Sequence, residues 1–479
     1  MDQVADMAGS PGTGAAPTLA LCGGTVVVSL DPVEVRSCDV VLAGDRVAFL
    51  GSAPAGIVRH DCSGALVMPG NVCAHHHLYS SLSRGMPFNL AAPGNFTEIL
   101  QRVWWRLDRA LDESSVRASA LRGGLDALVS GTTTIVDHHA SPNFIDGSLD
   151  VIAAALAELG LRSVLCYEVT DRDGLQRSRA GIEENRRFLG AQFPLAKGMV
   201  GAHASFTLSD GSLAACAQLA QSAGTGVHIH VAEDLADQRD SSSRGGHRVV
   251  ERLDAAGVLT DRALLAHCVH VDANEIAIVT SSGATVACNP RSNMNNSVGY
   301  SPFNLSHLPS SPSPRSSGPG QVPHPDHAKV ALGTDGIGGD MVTESQVGFF
   351  RAKEADISTA PSWPLTRLAE GSRLAGRAYG EPLLGTLRPG APGDITVYQY
   401  LRPTPLDAAN LAGHWLFGLS PTHVRDVYVA GKRVVANGKS TCVDEAEVAA
   451  ESSKTATDLW QRLEGVPAHQ YQPRQGGDK

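Results

Sequence analysis

Hydrophobic positions along this chain fall into two textures. From Thr18 to Leu66, and again over 394–400 and 424–439, short β-branched runs alternate with polar residues between Gly, Asp and Pro: TVVVSL, DVVLAG and RVAFLG at the front, DITVYQY and VRDVYVAGKRVVANGK at the back. Alternation with period two predicts antiparallel strands, and the AGK turn predicts a hairpin. Both ends are expected to build one small β-sandwich, over 18–68 and 385–442.

Between them, short continuous apolar runs alternate with longer amphipathic stretches, the pattern of βα units around a parallel sheet. Eight strands are predicted to end near MPGNVCAHHH, TTTIVDHH, SVLCYEV, GMVGAHASF, GVHIHVAE, ALLAHCVH, ATVACNP and KVALGTDG. Segments rich in Ala and Leu, such as SSVRASALRGGLDALVSG and GSLAACAQLAQSAG, supply helices that often stop at Gly, and PLTRLAEGSRLAGRAYG closes the set. The expected fold class is α/β, with a TIM-like (β/α)₈ barrel over 69–384. Residues 1–17 are expected to be a disordered lead, and 306–327, dense in Pro, Ser and Gly, a mobile surface loop. Over 443–479 a helix around Trp460 is expected, followed by a disordered polar tail, YQPRQGGDK.

Composition narrows the function classes. No apolar run approaches the ~18 residues that a membrane span needs. The N-terminus carries acidic residues before any basic one and lacks an apolar core, so no secretory signal is expected and the cytoplasm is the expected location. Nine scattered cysteines without a CxxC pair read as reduced core residues. A net charge of −10 with no basic cluster argues against a nucleic-acid partner and favours a small neutral or cationic one.

Candidate chemistry gathers at the strand ends. His75 and His77 alternate to one side of their strand and His76 to the other, which offers two imidazoles to one metal; an HxH pair alone is more often accidental. HIHVAED brings His230 and Glu233 to the fifth strand end, with His228 one step deeper and expected to be a buried, hydrogen-bonded core residue. AHCVH adds His267 and His270 at the sixth, and LGTDG adds Asp335 at the eighth. Barrel enzymes place their sites on this face, and ionisable residues are rarely buried there without a partner.

The order PG…HxH, HxxE, HC, TDG resembles the amidohydrolase superfamily, in its deaminase and chlorohydrolase branch, over residues 18–440. Within that branch HHHLYSSLSRGM, WWRLDRALDE, DHHASPNFIDGSLDV, LCYEVTDRDG, GIEENRRF and GHWLFGLSP look like aminohydrolases of the SsnA type. The resemblance implies that His75, His77, His230 and Asp335 hold a divalent metal. It makes Glu233 a proton shuttle, His267 the partner of the attacking water or transition state, and Asp335 the acceptor of the water proton. His203 would contact substrate, although an N-cap neighbour on a loop explains it equally well. Dinuclear relatives carry a carboxylated lysine at the end of strand four. Here that end reads VGAHASF, with Lys197 before the strand, so one ion is expected. Zn²⁺ suits the ligands best and Fe²⁺ also fits.

The implied activity is hydrolytic deamination of an amino-substituted heterocycle of purine, pterin, pyrimidine or triazine type, with metal-bound hydroxide as the attacking group. Hydrolysis of a cyclic amide or a carbon–halogen bond, and a catalytically silent relative, are the alternatives. The absence of a PCxxC motif excludes the cytidine-deaminase class. The resemblance also implies a homo-oligomer. Tyr79, Arg84, Trp104 and Trp105 follow the first strand, where loops form a pocket rim; either Trp could stack on a ring, though core packing of WWRLDRAL is the preferred reading. Glu168 and Arg291 could read polar ring edges or could form ion pairs.

Overall fold

The computed structural model describes residues 16–305 and 328–474. Eight strands run parallel: β1 (Asn71–His76), β2 (Thr132–His139), β3 (Arg162–Tyr167), β4 (Val200–Ala204), β5 (Val227–Val231), β6 (Leu264–His267), β7 (Thr285–Cys288) and β8 (Lys329–Leu332). They form two parallel sheets. One orders β1, β2, β3 and a short strand Ala196–Gly198; the other orders β4 to β8. The short strand and β4 are separated only by Met199, so one stretch of chain pairs with both sheets. Parallel bridges Val169↔Ala202 and His76↔Asp335 link the sheets at both seams. At the first seam Gly201 is required, because a Cβ there would lie 2.2 Å from the carbonyl oxygen of Tyr167.

Helices separate successive strands, as the apolar periodicity predicts. The helix Glu113–Val129 starts at a capping box on Asp112, and Ser148–Leu159 and Trp363–Tyr379 end at left-handed Gly160 and Gly380. Their apolar faces and the outer faces of the strands make the main core, with Leu121, Leu128, Ile135, Leu156, Leu165 and Ile229 buried.

Both chain ends contribute to a seven-stranded sheet in which Thr25–Leu30, Leu66–Pro69, Ile395–Tyr398 and Val424–Val429 are neighbours or near neighbours. A four-stranded sheet is ordered Arg46–Gly51, Asp39–Ala43, Leu19–Cys22, Val58–Asp61. Alternation along TVVVSL decides which face meets which: Val26 and Val28 pack with Leu21, Val40 and Leu42 of the smaller sheet, while Val27 joins the main core.

The lead up to Ala15 and the Pro/Ser-rich segment 306–327 lie outside the described residues. The C-terminal end differs from expectation. Beyond the helix Glu445–Glu464 the chain does not leave the surface: Tyr471 is half-buried and its hydroxyl donates to the Phe206 carbonyl, and Arg474 N–H donates to Asp240 Oδ1 (2.7 Å). At this end of the chain the description stops at residue 474. No helix of the described residues is long and apolar enough to cross a membrane.

Candidate metal centre and active site

Every donor lies at the C-terminal end of a parallel strand, where the backbone leaves the ladder and side chains of different strands converge. His75 and His77 close β1, His230 lies in β5, His267 ends β6 and Asp335 follows β8. Asp335 Oδ1 is 3.0 Å from His77 Nε2 and 3.6 Å from His75 Nε2, and His77 Nε2 is 3.1 Å from His230 Nε2. Donor atoms of His75, His230, His267 and Asp335 all lie within 4.8 Å of one another. Ala232, His267, Cys268 and Asp335 hold left-handed backbone, with φ of 45°, 73°, 47° and 52°. Such strain at non-glycine residues collects at sites whose geometry is imposed by the surrounding fold.

Tautomers fix what these rings offer. His77 Nδ1 lies 2.6 Å from the His138 carbonyl oxygen, and His230 Nδ1 lies 2.7 Å from that of His203. A carbonyl only accepts, so both Nδ1 atoms carry protons and both Nε2 atoms can present lone pairs. Two lone pairs and a carboxylate oxygen within about 3 Å repel one another unless positive charge lies between them. A proton can supply one unit: burial lowers the His77 pKa, but the Asp335 carboxylate outweighs it and pushes it up to about 9. A proton leaves His75 Nε2, fully buried, without a hydrogen-bond partner. Imidazole nitrogens and a carboxylate oxygen converging from several sides fit a divalent cation.

Glu233 stands beside this cluster. Its Oε2 is 3.4 Å from His267 Nε2, and His267 Nδ1–H donates to Asn293 Oδ1 (2.8 Å). Burial and the nearby Asp335 carboxylate hold the Glu233 carboxyl well above the usual range, against a hydrogen bond with Asn296. Asp335 is the opposite case. Burial alone would raise it, but His75 and His77 hold it well below the ordinary carboxylate value. Two carboxyl groups of contrasting acidity therefore face one cavity, an arrangement suited to separate acid and base tasks.

That cavity is lined by His77, Tyr79, Trp104, Trp105, Glu168, His203, Phe206, His230, Glu233, Asn296 and Asp335, among others. The Tyr79 ring is 5.3 Å from that of His77. His203 Nδ1 is 2.7 Å from Thr207 Oγ1. Glu168 is buried between His138 (3.3 Å), His203 (3.6 Å) and Arg172 (3.2 Å). Trp105 satisfies both readings: it borders the cavity, yet it is 2% exposed and packed under Arg172 and the rings of His469 and Tyr471.

Arg84 is a correction. Its side chain is 62% exposed, pairs with Asp126 at 3.0 Å and does not line this cavity, because it lies beyond the turn Leu78–Ser83 that carries the chain outward. Arg291 is taken up by buried Glu344, which accepts from its backbone N–H (3.0 Å) and its guanidinium. His76 turns away as the alternation requires, with Nδ1 2.8 Å from Thr334 Oγ1. Residue-level reading overlooked His138, Asn293 and Asn296. His138 was legible: TTTIVDHH ends a strand on the same face, and the rule that singled out the other strand ends applies to it.

Residues 66–434 match the Amidohydrolase family, and the chain belongs to that family. Among its relatives, the 5'-deoxyadenosine deaminase of Methanopyrus kandleri is 28% identical over 82% of this chain and 86% of its own length. The 5-methylthioadenosine/S-adenosylhomocysteine deaminase of Desulforudis audaxviator is 28% identical over 88% and 94%. Of solved structures, an adenosine deaminase from Xanthomonas campestris with bound zinc superposes with a TM-score of 0.76 at 21% identity, covering 94% of this chain and 99% of that one. Atrazine chlorohydrolase from Arthrobacter aurescens, complexed with zinc, gives 0.75 at 19% identity, over 92% and 100%. These structural likenesses establish a shared mixed α/β fold.

Proposed function

We propose that this protein is a metal-dependent aminohydrolase that deaminates an amino-substituted heterocycle by hydrolysis, with ammonia as the second product. In this reading the two parallel sheets are arcs of one closed (β/α)₈ barrel over 69–384. The sheets from the chain ends, over 18–68 and 385–442, form a β-sandwich beside it. His75, His77, His230 and Asp335 would hold one ion, and Zn²⁺ is favoured by the imidazole-rich donor set and by the zinc in the structural neighbours. Bound there, the ion supplies acidified water as the nucleophile. A cytoplasmic location and a homo-oligomer belong to the same proposal.

The observation that carries the chemistry is the position of Glu233. Its carboxyl, kept protonated more readily than an ordinary glutamate, opens on the cavity beside the metal donors. From there it gives a proton to a ring nitrogen, which makes the adjacent amino-bearing carbon electrophilic, and later passes one to the departing amine. Asp335, held ionised, takes the proton of the attacking water. His267, oriented by Asn293, lies against the oxygen that develops charge. Tyr79, His203, Glu168 and Trp105 form the substrate wall. Relatives named as adenosine-type deaminases support an aminated purine-like ring.

Ammonia release from the zinc-loaded protein against aminated purines, pyrimidines, pterins and triazines tests the reading. Turnover of at least one aminated ring is expected. Hydrolysis of cyclic amides or chlorinated triazines while every aminated ring is refused would overturn it.

A further inference from the structure

Three imidazoles of the metal set need their far nitrogen fixed, and two of them use backbone. His77 and His230 donate to the carbonyls of His138 and His203. The third does not. His75 Nδ1 lies 2.8 Å from His228 Nε2, with both rings fully buried. On the other side of that ring, His228 Nδ1 lies 3.6 Å from Cys166 Sγ, and the Cys166 thiol donates to the Asp137 carbonyl oxygen at 3.5 Å. The His228 backbone is itself tied down, its carbonyl accepting from His138 Nε2–H at 3.1 Å.

We infer that His228 is a positioning residue for the metal centre: it sets the tautomer of His75 through a neutral relay that ends on the Asp137 carbonyl. The direction follows from that end. A carbonyl can only accept, so the thiol proton points to it and leaves sulfur as the acceptor for His228 Nδ1–H. His228 Nε2 then carries the lone pair and receives His75 Nδ1–H. His75 is left with Nε2 unprotonated and aimed at the cluster, as metal binding requires. Metal-bound histidines commonly rest on a carboxylate or a carbonyl. Here the partner is a second imidazole without charge, which fixes the ring while adding less electron density to it than a carboxylate would. His228 touches neither the reacting atoms nor the cavity wall, which separates its role from that of His203 or Glu233.

The test is metal binding by the whole protein, so it stands independently of any substrate. Competition with a chromogenic chelator measures Zn²⁺ affinity, and cobalt-substituted protein reports ligand geometry through its visible absorption. His228→Leu, which cannot accept, is expected to weaken Zn²⁺ binding by about 10- to 100-fold and to shift the cobalt bands. His228→Gln, whose amide oxygen can accept, is expected to restore affinity to within about threefold of wild type. Should the leucine variant fail to fold, Cys166→Ala and Cys166→Ser test the other end of the relay. Alanine should weaken binding and serine, with a hydroxyl that both accepts and donates, should not. Wild-type affinity and unshifted cobalt bands in His228→Leu, or equal affinities in both Cys166 variants, would overturn the inference.

Discussion

At the scale of single residues, the contrast between Glu233 and Asp335 predicts distinct losses. Glu233→Gln should keep its metal while turnover falls by about 10²- to 10⁴-fold, because an amide cannot shuttle a proton. Elemental analysis beside a steady-state assay checks this, and near wild-type turnover would remove Glu233 from the mechanism. Asp335→Asn should lose metal and activity together. His76→Asn, on the opposite side of the strand from His75 and His77 and with its ring bonded to Thr334, should retain most activity. Much of this site could be read from sequence because strand alternation is strict: in HHH and HIH, one step changes the face. What could not be read is which side chain supports which. The contact of His75 with His228 joins positions 153 residues apart, and nothing in either local motif announces it. Arg84 was misjudged for a related reason, since its place after the first strand says nothing about where the turn carries it.

At the scale of elements, the segment after the last helix behaves as a strap. Arg106 donates to the carbonyls of Leu463 (2.9 Å) and Val466 (2.7 Å), Arg109 to Pro467 (2.6 Å), and Gln101 Nε2 to Tyr471 (2.7 Å). These bonds hold the aromatic wall that includes Trp104 and Trp105. Ending the chain after Gly465 is therefore expected to raise KM by about tenfold with a smaller change in kcat, since the wall is displaced while the metal donors are not. An unchanged KM would show that the wall stands without the strap. Hydropathy gave no warning here, because residues 463–474 dock through hydrogen bonds, their carbonyls accepting from Arg106, Arg109 and Gln101, and a polar pattern assigns such a segment to solvent.

A second element-scale expectation concerns the hairpin Val424–Val429 and Lys432–Ala436. Burial raises the Asp426 carboxyl, but hydrogen bonds from Arg433 and Arg425 prevail and hold it below the ordinary aspartate range. A depressed carboxylate contributes stability that is present above the unfolded value and is lost as pH falls through the folded one. Asp426→Asn should cost about 1–3 kcal/mol near neutral pH. Its melting temperature should approach that of wild type below about pH 4. A gap between the two that stays constant with pH would place the loss in packing instead.

At the scale of the whole molecule, purified protein should carry close to one divalent ion per chain, and its removal should lower the melting temperature. An ion bound only by the native state adds about 4 kcal/mol at a thousandfold excess over its dissociation constant. Two ions in fully active protein, or an unshifted melting curve after chelation, would contradict the single centre. The alternation of parallel strands with helices was legible on either side of the Pro/Ser-rich segment 306–327, because buried strands and amphipathic helices differ in period. The meeting of the two sheets was not, because the break at Met199 and the close approach at Gly201 are set by neighbours distant in sequence.

The seam at His76 and Asp335 has a consequence for biogenesis. His75 and His77 belong to the first sheet, and His230, His267 and Asp335 come from the second or from its end. A nascent chain that has completed β1 to β3 holds His75 and His77 but still lacks His230, His267 and Asp335. Asp335, the last of these residues in the chain, joins them only when the end of β8 has docked against β1 at the His76↔Asp335 bridge. With the proposed donor set, ion capture follows the docking of Asp335 against β1, after both sheets have formed and met.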